Sequence, residues 1–178
     1  RAHPQYTGYG TPAPGSTSHF LGALLGMEAK LPLVQVPYRG AVSGIADLIA
    51  GQIPVMFTTT GDLLPHYKAG KLRLLATSAP QRTPFTPDVP TFAEQGFASL
   101  SSEEWFGLYA PAHTSAAVVQ AANNAMRKAL QERSVIDSLA QLGLIATASS
   151  PADMAESQRA QTERWGPLVK KIGFTADS

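Results

Sequence analysis

The chain contains no cysteine. Disulfides and thiolate metal sites are excluded, although cysteine-free proteins occur in oxidising and reducing compartments alike. An excess of either charge is also missing. Lys and Arg number 14 against 13 Asp and Glu, which leaves no broad basic field to hold nucleic acid through its phosphates and no acidic tail. Nucleic acid is therefore not an expected partner. No apolar run approaches the roughly 20 residues that span a bilayer. The sequence opens at Arg1 without an initiator methionine, so the absence of a charged-then-apolar leader at its start carries no weight. With 44% apolar residues among 178, the expectation is a soluble globular protein of one large domain or two small lobes.

What is present begins with a stretch rich in Gly and Pro, residues 1 to 18, read as an ordered loop or frayed end because Pro12 and Pro14 forbid a helix through them. Apolar residues at helical spacing then predict a helix from Thr17 to Lys30, closed by Pro32, and Leu33 to Val36 reads as a buried strand. The alternation repeats. A helix from about Val42 to Ala50 stops at Gly51, and a strand runs from Ile53 to Thr58. A short helix from Asp62 to Lys68 stops at Gly70, and a strand follows from Leu72 to Thr77. Alternating strands and helices predict an α/β fold with a mostly parallel sheet.

Residues 80 to 90, with four of the 14 prolines, read as an extended surface connection, and Thr91 to Gln95 as one helical turn ended by Gly96. The run Trp105-Phe-Gly-Leu-Tyr-Ala110 is predicted to be a strand, with Trp105, Phe106 and Tyr109 in the core; Glu103 and Glu104 could stand at a hinge. Helices are expected over Ala116 to Gln131, with a core-packing stripe of Val118, Val119, Ala122, Met126 and Leu130, then over Ser134 to Leu142 and Pro151 to Ile172. Gly166-Pro167 should bend or restart the last one. The change of composition near residue 104 divides the chain into an α/β lobe, 1–103, and a second region, 104–178.

Several patterns carry chemistry. Val34-Gln-Val-Pro-Tyr-Arg39-Gly40 delivers an arginine and a flexible glycine to the mouth of a helix, where open α/β sheets collect anions. Arg39 could grip a carboxylate bidentately or pair with a neighbouring acid at the surface; Gly40 also serves as a turn residue. Gly15, Ser16, Thr17 and Ser18 precede the first helix, and their amides and hydroxyls suit either a carboxylate or an ordinary N-cap. Thr58 and Thr59 end the next strand at the same sheet edge. Their hydroxyls could face the crevice, or the pair could simply be good β formers, with Asp62 as the cap of the short helix.

Other patterns lack their context. Gly8-Tyr-Gly10-Thr-Pro-Ala13 has the letters of a dinucleotide fingerprint, but prolines remove two of the amides that would face a pyrophosphate. His3, His19, His66 and His113 are too scattered to hold a metal. A Ser18, His19 and Asp47 triad lacks a nucleophile elbow. No cofactor and no catalytic group is implied.

Val36-Pro-Tyr-Arg-Gly40, Asp47-Leu-Ile-Ala-Gly-Gln52, Val55-Met-Phe57, Leu64-Pro-His-Tyr-Lys-Ala-Gly-Lys-Leu-Arg73, Pro87-Asp-Val-Pro-Thr91 and Trp105-Phe-Gly-Leu-Tyr-Ala-Pro111 together resemble successive signatures of the Bug family. These are the extracytoplasmic solute receptors of tripartite tricarboxylate transporters. The resemblance implies a type II periplasmic binding-protein fold whose two lobes close on a small carboxylate or related solute, a secreted periplasmic receptor, and a membrane permease as partner. It implies no chemistry. It further implies that this sequence starts where the family's second lobe starts, so that residues 104–178 belong to a first lobe otherwise outside it. Where many relatives carry Asp-Asn after Val-Met-Phe, Thr58-Thr59 stands here, which favours a plain carboxylate or neutral polar solute over one bearing an amino group. The leading expectation is a carboxylate-binding receptor portion. A homodimeric interaction module, covering the incomplete lobe, is the alternative, and a small α/β enzyme the weaker one.

Overall fold

The computed structural model describes residues 7–175; the part of the N-terminal loop expectation that falls on residues 1–6 lies outside them. Within the rest, that expectation is corrected: Gly8–Thr11 forms strand β1. Glycine disfavours strands in isolation, but here packing decides. Tyr9 is 2% exposed and Thr11 fully buried, and a Cβ at Gly10 would stand 2.6 Å from Ile53 Cδ1. The strand needs glycine because its neighbours approach so closely.

Strand β2 (Val34–Pro37) pairs parallel to β1, Gly8 opposite Val34 and Thr11 opposite Pro37. It is not the buried strand expected: Val34 is 60% exposed, because β2 is the outer strand of the pair. On the other side of β1, Gly10 N–H donates to Val55 O at 2.9 Å and accepts at its own carbonyl from Phe57 N–H at 2.9 Å. The expected strand from Ile53 to Thr58 is thus reduced to one parallel bridge, Gly10 to Met56. By the period-2 alternation the residue-54 amide faces the opposite edge, and Pro54 has none to give. The strand expected over Leu72 to Thr77 likewise shrinks to a bridge between Thr77 and Thr91.

The spatial order is β2, β1, then segment 53–57, so the chain reverses direction across the sheet at β1. Right-handed crossovers leaving β1 on one side and returning on the other put the first two helices on opposite faces. The side chains agree. Tyr9 points at helix α1 (Thr17–Ala29), where its ring occupies the space a side chain at Gly22 would need. Gly10 points at the other face, where Ile45 of α2 (Ala41–Ile49) packs with Ile53 and Met56, flanked by Val36, Tyr38, Leu48, Leu63 and Leu72. Helix α3 (Thr60–Lys68) follows directly.

Residues 80–90, expected as a surface connection, belong instead to a packed segment that runs over 78–102. Thr86, Val89, Thr91 and Leu100 are buried, and the turn at Ala93–Gln95 is fixed by a reciprocal cap. Thr91 N–H donates to Glu94 Oε2 at 2.6 Å and Glu94 N–H to Thr91 Oγ1 at 3.1 Å.

The chain divides into two compact units: residues up to Glu104 together with those from Leu168 onward, and Trp105–Pro167. The second unit carries α4 (Ala116–Ala129), α5 (Arg133–Gln141) and most of α6 (Pro151–Lys171). Helix α6 continues through Gly166-Pro167 without the expected restart. Three further expectations are corrected here. The run 105–110 is not a strand, since among the described residues none bonds its backbone. Phe106 is 75% exposed and Tyr109 is likewise outside any core. The α4 stripe is only partly covered: Val118, Ala122 and Met126 are exposed, Val119 and Leu130 half-buried. From Glu103 to Arg164 no residue is buried.

Candidate functional site

The carboxyl ends of β1, β2 and segment 53–57 all open on the same edge of the sheet, and the strand order reverses at β1. Open α/β sheets form their ligand crevices at such a point. Two hydrogen bonds beyond the end of the β1–β2 ladder bring the loops together: Tyr38 N–H to Thr11 O and Gly40 N–H to Pro12 O, each 2.9 Å. Arg39, between them, is therefore carried alongside the loop that enters α1. It is exposed, and no acid pairs with it among the described residues. Gly40 adopts φ 99° as the N-cap position of α2, a conformation that favours glycine.

The 12–18 loop is internally committed. Gly15 has φ 74°, a side chain there would strike the Phe174 ring at 2.7 Å, and its N–H donates to His19 Nδ1 at 3.1 Å. Ser16 is the N-cap of α1: its Oγ accepts from His19 N–H at 3.3 Å and donates to Ala13 O at 2.7 Å. Of the two readings of this cluster, cap and anion site, Gly15 and Ser16 take the first. Thr17 and Ser18 differ. Their amides and hydroxyls have no partner among the described residues, and they stand at the positive end of the helix dipole.

Thr58 and Thr59 are committed as well. Both hydroxyls donate to Asp62 Oδ2, at 2.6 and 2.9 Å, and Thr59 accepts the Asp62 N–H at 3.4 Å. Thr59, not Asp62, is the N-cap of α3. An acid thus reaches positions 58 and 59 from one helical turn on. The negative charge of Asp62 also adds to a loss of hydration at Glu104, and together they hold the Glu104 carboxyl above its usual range, the hydration effect being the larger.

Two contributors were not read from the sequence, and a third has a different role from the one expected. His19 was weighed only as a metal ligand or catalytic base, whereas it packs against Phe20 and Phe174 with ring centroids 5.4 Å from each. Burial lowers its pKa. Tyr9 donates its hydroxyl to His19 O at 3.2 Å, and burial pushes its pKa up to about 12. Asp62, expected as the cap of the short helix, is instead its third residue, and the Thr59-Thr-Gly-Asp62 spacing is that of a capping box. The apparent nucleotide fingerprint lies on β1 itself rather than in a turn after a strand, and its glycines serve packing.

Residues 1–174 match the family described as "Tripartite tricarboxylate transporter family receptor", and the chain belongs to that family. It is 30% identical over 178 residues to the UPF0065 protein in the tcbD-tcbE intergenic region of Pseudomonas sp. strain P51, covering 99% of this chain and 53% of that protein. With the UPF0065 protein in the clcB-clcD intergenic region of Pseudomonas knackmussii it shares 32% identity, covering 87% of this chain and 92% of that one. With Protein BugT of Bordetella pertussis it shares 27%, over 97% and 53%.

Among solved structures, one described as a periplasmic transporter superposes with a TM-score of 0.86 at 33% identity, covering 96% of this chain and 57% of that one. An R. palustris protein with adipate gives 0.82 at 28%, over 93% and 56%. MatC from Rhodopseudomonas palustris with bound malate gives 0.80 at 27%, over 94% and 58%. The chain spans about half the length of most relatives it matches. Its fold is that of the periplasmic binding proteins of this family, and the family is one of solute receptors, not enzymes.

Proposed function

We propose that these residues form the solute-holding half of a periplasmic receptor for a small dicarboxylate. The observation that carries this reading is the bond from Gly40 N–H to Pro12 O, which ties the turn bearing the unpaired Arg39 to the loop that leads into the free amides of Thr17 and Ser18. A carboxylate bridging them would meet a bidentate cation on one side and a helix N-terminus on the other. Gly15, Ser16 and Gly40 shape the loops, and Thr58 and Thr59, tied to Asp62, form the adjoining wall. The adipate and malate bound by two structural relatives support a dicarboxylate as the solute. In the receptor's working context, solute would pass to a membrane permease. Calorimetric titration with adipate and malate tests this: Arg39→Ala should weaken binding by about 1.5–3 kcal/mol, roughly 10- to 150-fold. Unchanged affinity removes Arg39 from the site.

A second reading concerns Trp105–Pro167. With no residue buried from Glu103 to Arg164 and apolar side chains such as Phe106, Leu108 and Val118 exposed, this unit presents an interaction face, and a second copy of the chain is the partner proposed for it. Light scattering at high concentration tests it, a monomer counting against.

A further inference from the structure

We propose that neutral His19 is the positioning residue of the 12–18 loop, fixing through Nδ1 which donors at the head of α1 are left for the solute. The inference rests on the solute site proposed above.

One residue ties this loop at three points. Its side chain accepts the Gly15 N–H, its amide donates to Ser16 Oγ, and its carbonyl receives the Tyr9 hydroxyl from β1. The ring itself is held by Phe20 and Phe174, and Phe174 also fills the space beside Gly15, so ring and loop share one support. The Gly15 amide is thereby withdrawn from the crevice, and the free donors are those of Thr17 and Ser18.

The bond requires a lone pair on Nδ1, so the imidazole must be neutral with its proton on Nε2. An imidazolium would set two donors against each other, and the loop would have to let go. No described residue offsets this. Among the described residues, β1 brings Tyr9 to the backbone carbonyl, while α1 and the segment after α6 bring only the apolar rings of Phe20 and Phe174. The loop itself brings no titratable group, and no carboxylate or cation bonds the imidazole.

The test uses the whole chain in three forms: wild type, His19→Asn, whose Oδ1 can accept the same N–H without titrating, and His19→Leu, which cannot accept. Nitrogen-15 NMR should show the Nε2–H tautomer at pH 8 and a Gly15 amide resonance that titrates with His19. An Nδ1–H tautomer overturns the proposal. Malate affinity is then measured by calorimetry at pH 8 and pH 5.5. Wild type should lose about tenfold relative to His19→Asn on acidification, and His19→Asn should retain at pH 8 the affinity that His19→Leu lacks. Malate's own ionisation affects every form alike, so the difference between forms is the readout. Parallel pH profiles, or wild type gaining affinity relative to His19→Asn in acid, overturn the positioning role. If none of the three binds malate or adipate at either pH, the solute reading itself fails. The tautomer and the Gly15 titration then still decide, separately, whether His19 holds the loop.

Discussion

Replacing Gly22 by alanine isolates the contact that seats α1 on the sheet. The added Cβ would lie 2.1 Å from Tyr9 Cε2, 2.6 Å from Cδ2 and 2.7 Å from Cζ, far inside the 3.4 Å at which ordinary contact begins. Tyr9 has little room to yield. It is 2% exposed, its hydroxyl is bonded to His19 O, and its ring meets Phe57 edge-on with centroids 5.7 Å apart. Overpacking of this kind costs about 1–3 kcal/mol, while alanine in place of glycine inside a helix returns about 1 kcal/mol. The expected net loss is up to about 2 kcal/mol, read from urea unfolding followed by circular dichroism. Shortening the opposing side chain should suppress the penalty, so that Gly22→Ala in a Tyr9→Leu background costs clearly less than in wild type, a coupling that a double-mutant cycle measures. A stabilised Gly22→Ala protein, or strictly additive effects in the cycle, would refute the packing argument. Because Tyr9 also holds the first turn of α1, Gly22→Ala should weaken dicarboxylate binding as well.

Lys30 closes α1 at φ 53°, ψ 49°, where only glycine escapes the steric cost, so Lys30→Gly should raise stability by about 1 kcal/mol in the same unfolding assay. Burial lowers the His19 pKa below its usual 6.5; its contribution to stability is therefore complete above pH 6.5 and lost as pH falls through the lowered value. The melting temperature of wild type should drop more than that of His19→Asn between pH 7 and pH 5. Glu104 has the opposite sign. Its pKa is raised above 4.5, so the folded state favours the protonated acid, and stability declines as pH rises through the raised value. Glu104→Gln should melt higher than wild type at pH 7 and no differently near pH 4.

Helix boundaries were legible because they depend on neighbours a few residues away. The apolar spacing of α1, the glycines after α2 and α3, and Ser115 accepting the Val118 N–H at the start of α4 are local signals with local causes. The parallel α/β order followed from the alternation itself, and Arg39 and Gly40 could be placed at a strand-to-helix turn from the sequence of apolar and turn residues. Family membership was also legible, since short motifs recur in order along almost the whole chain.

Strands and site roles were decided elsewhere. A strand exists only where another backbone is present to complete its hydrogen bonds, so glycine-rich 8–11 became β1 between two neighbours, while apolar 105–110, with none among the described residues, did not form a strand. Burial followed the same rule, covering Thr86 and Thr91 and leaving Phe106 and Val118 exposed. At the site, sequence could name the donors of residues 15–18 and 58–59 but not assign them. Each hydroxyl or amide serves the nearest partner that folding supplies. His19 claimed Gly15 and Ser16, Asp62 claimed both threonines, and Thr17, Ser18 and Arg39 were left without a partner among the described residues, because hydrogen bonds are allotted by distance in space and not by order along the chain.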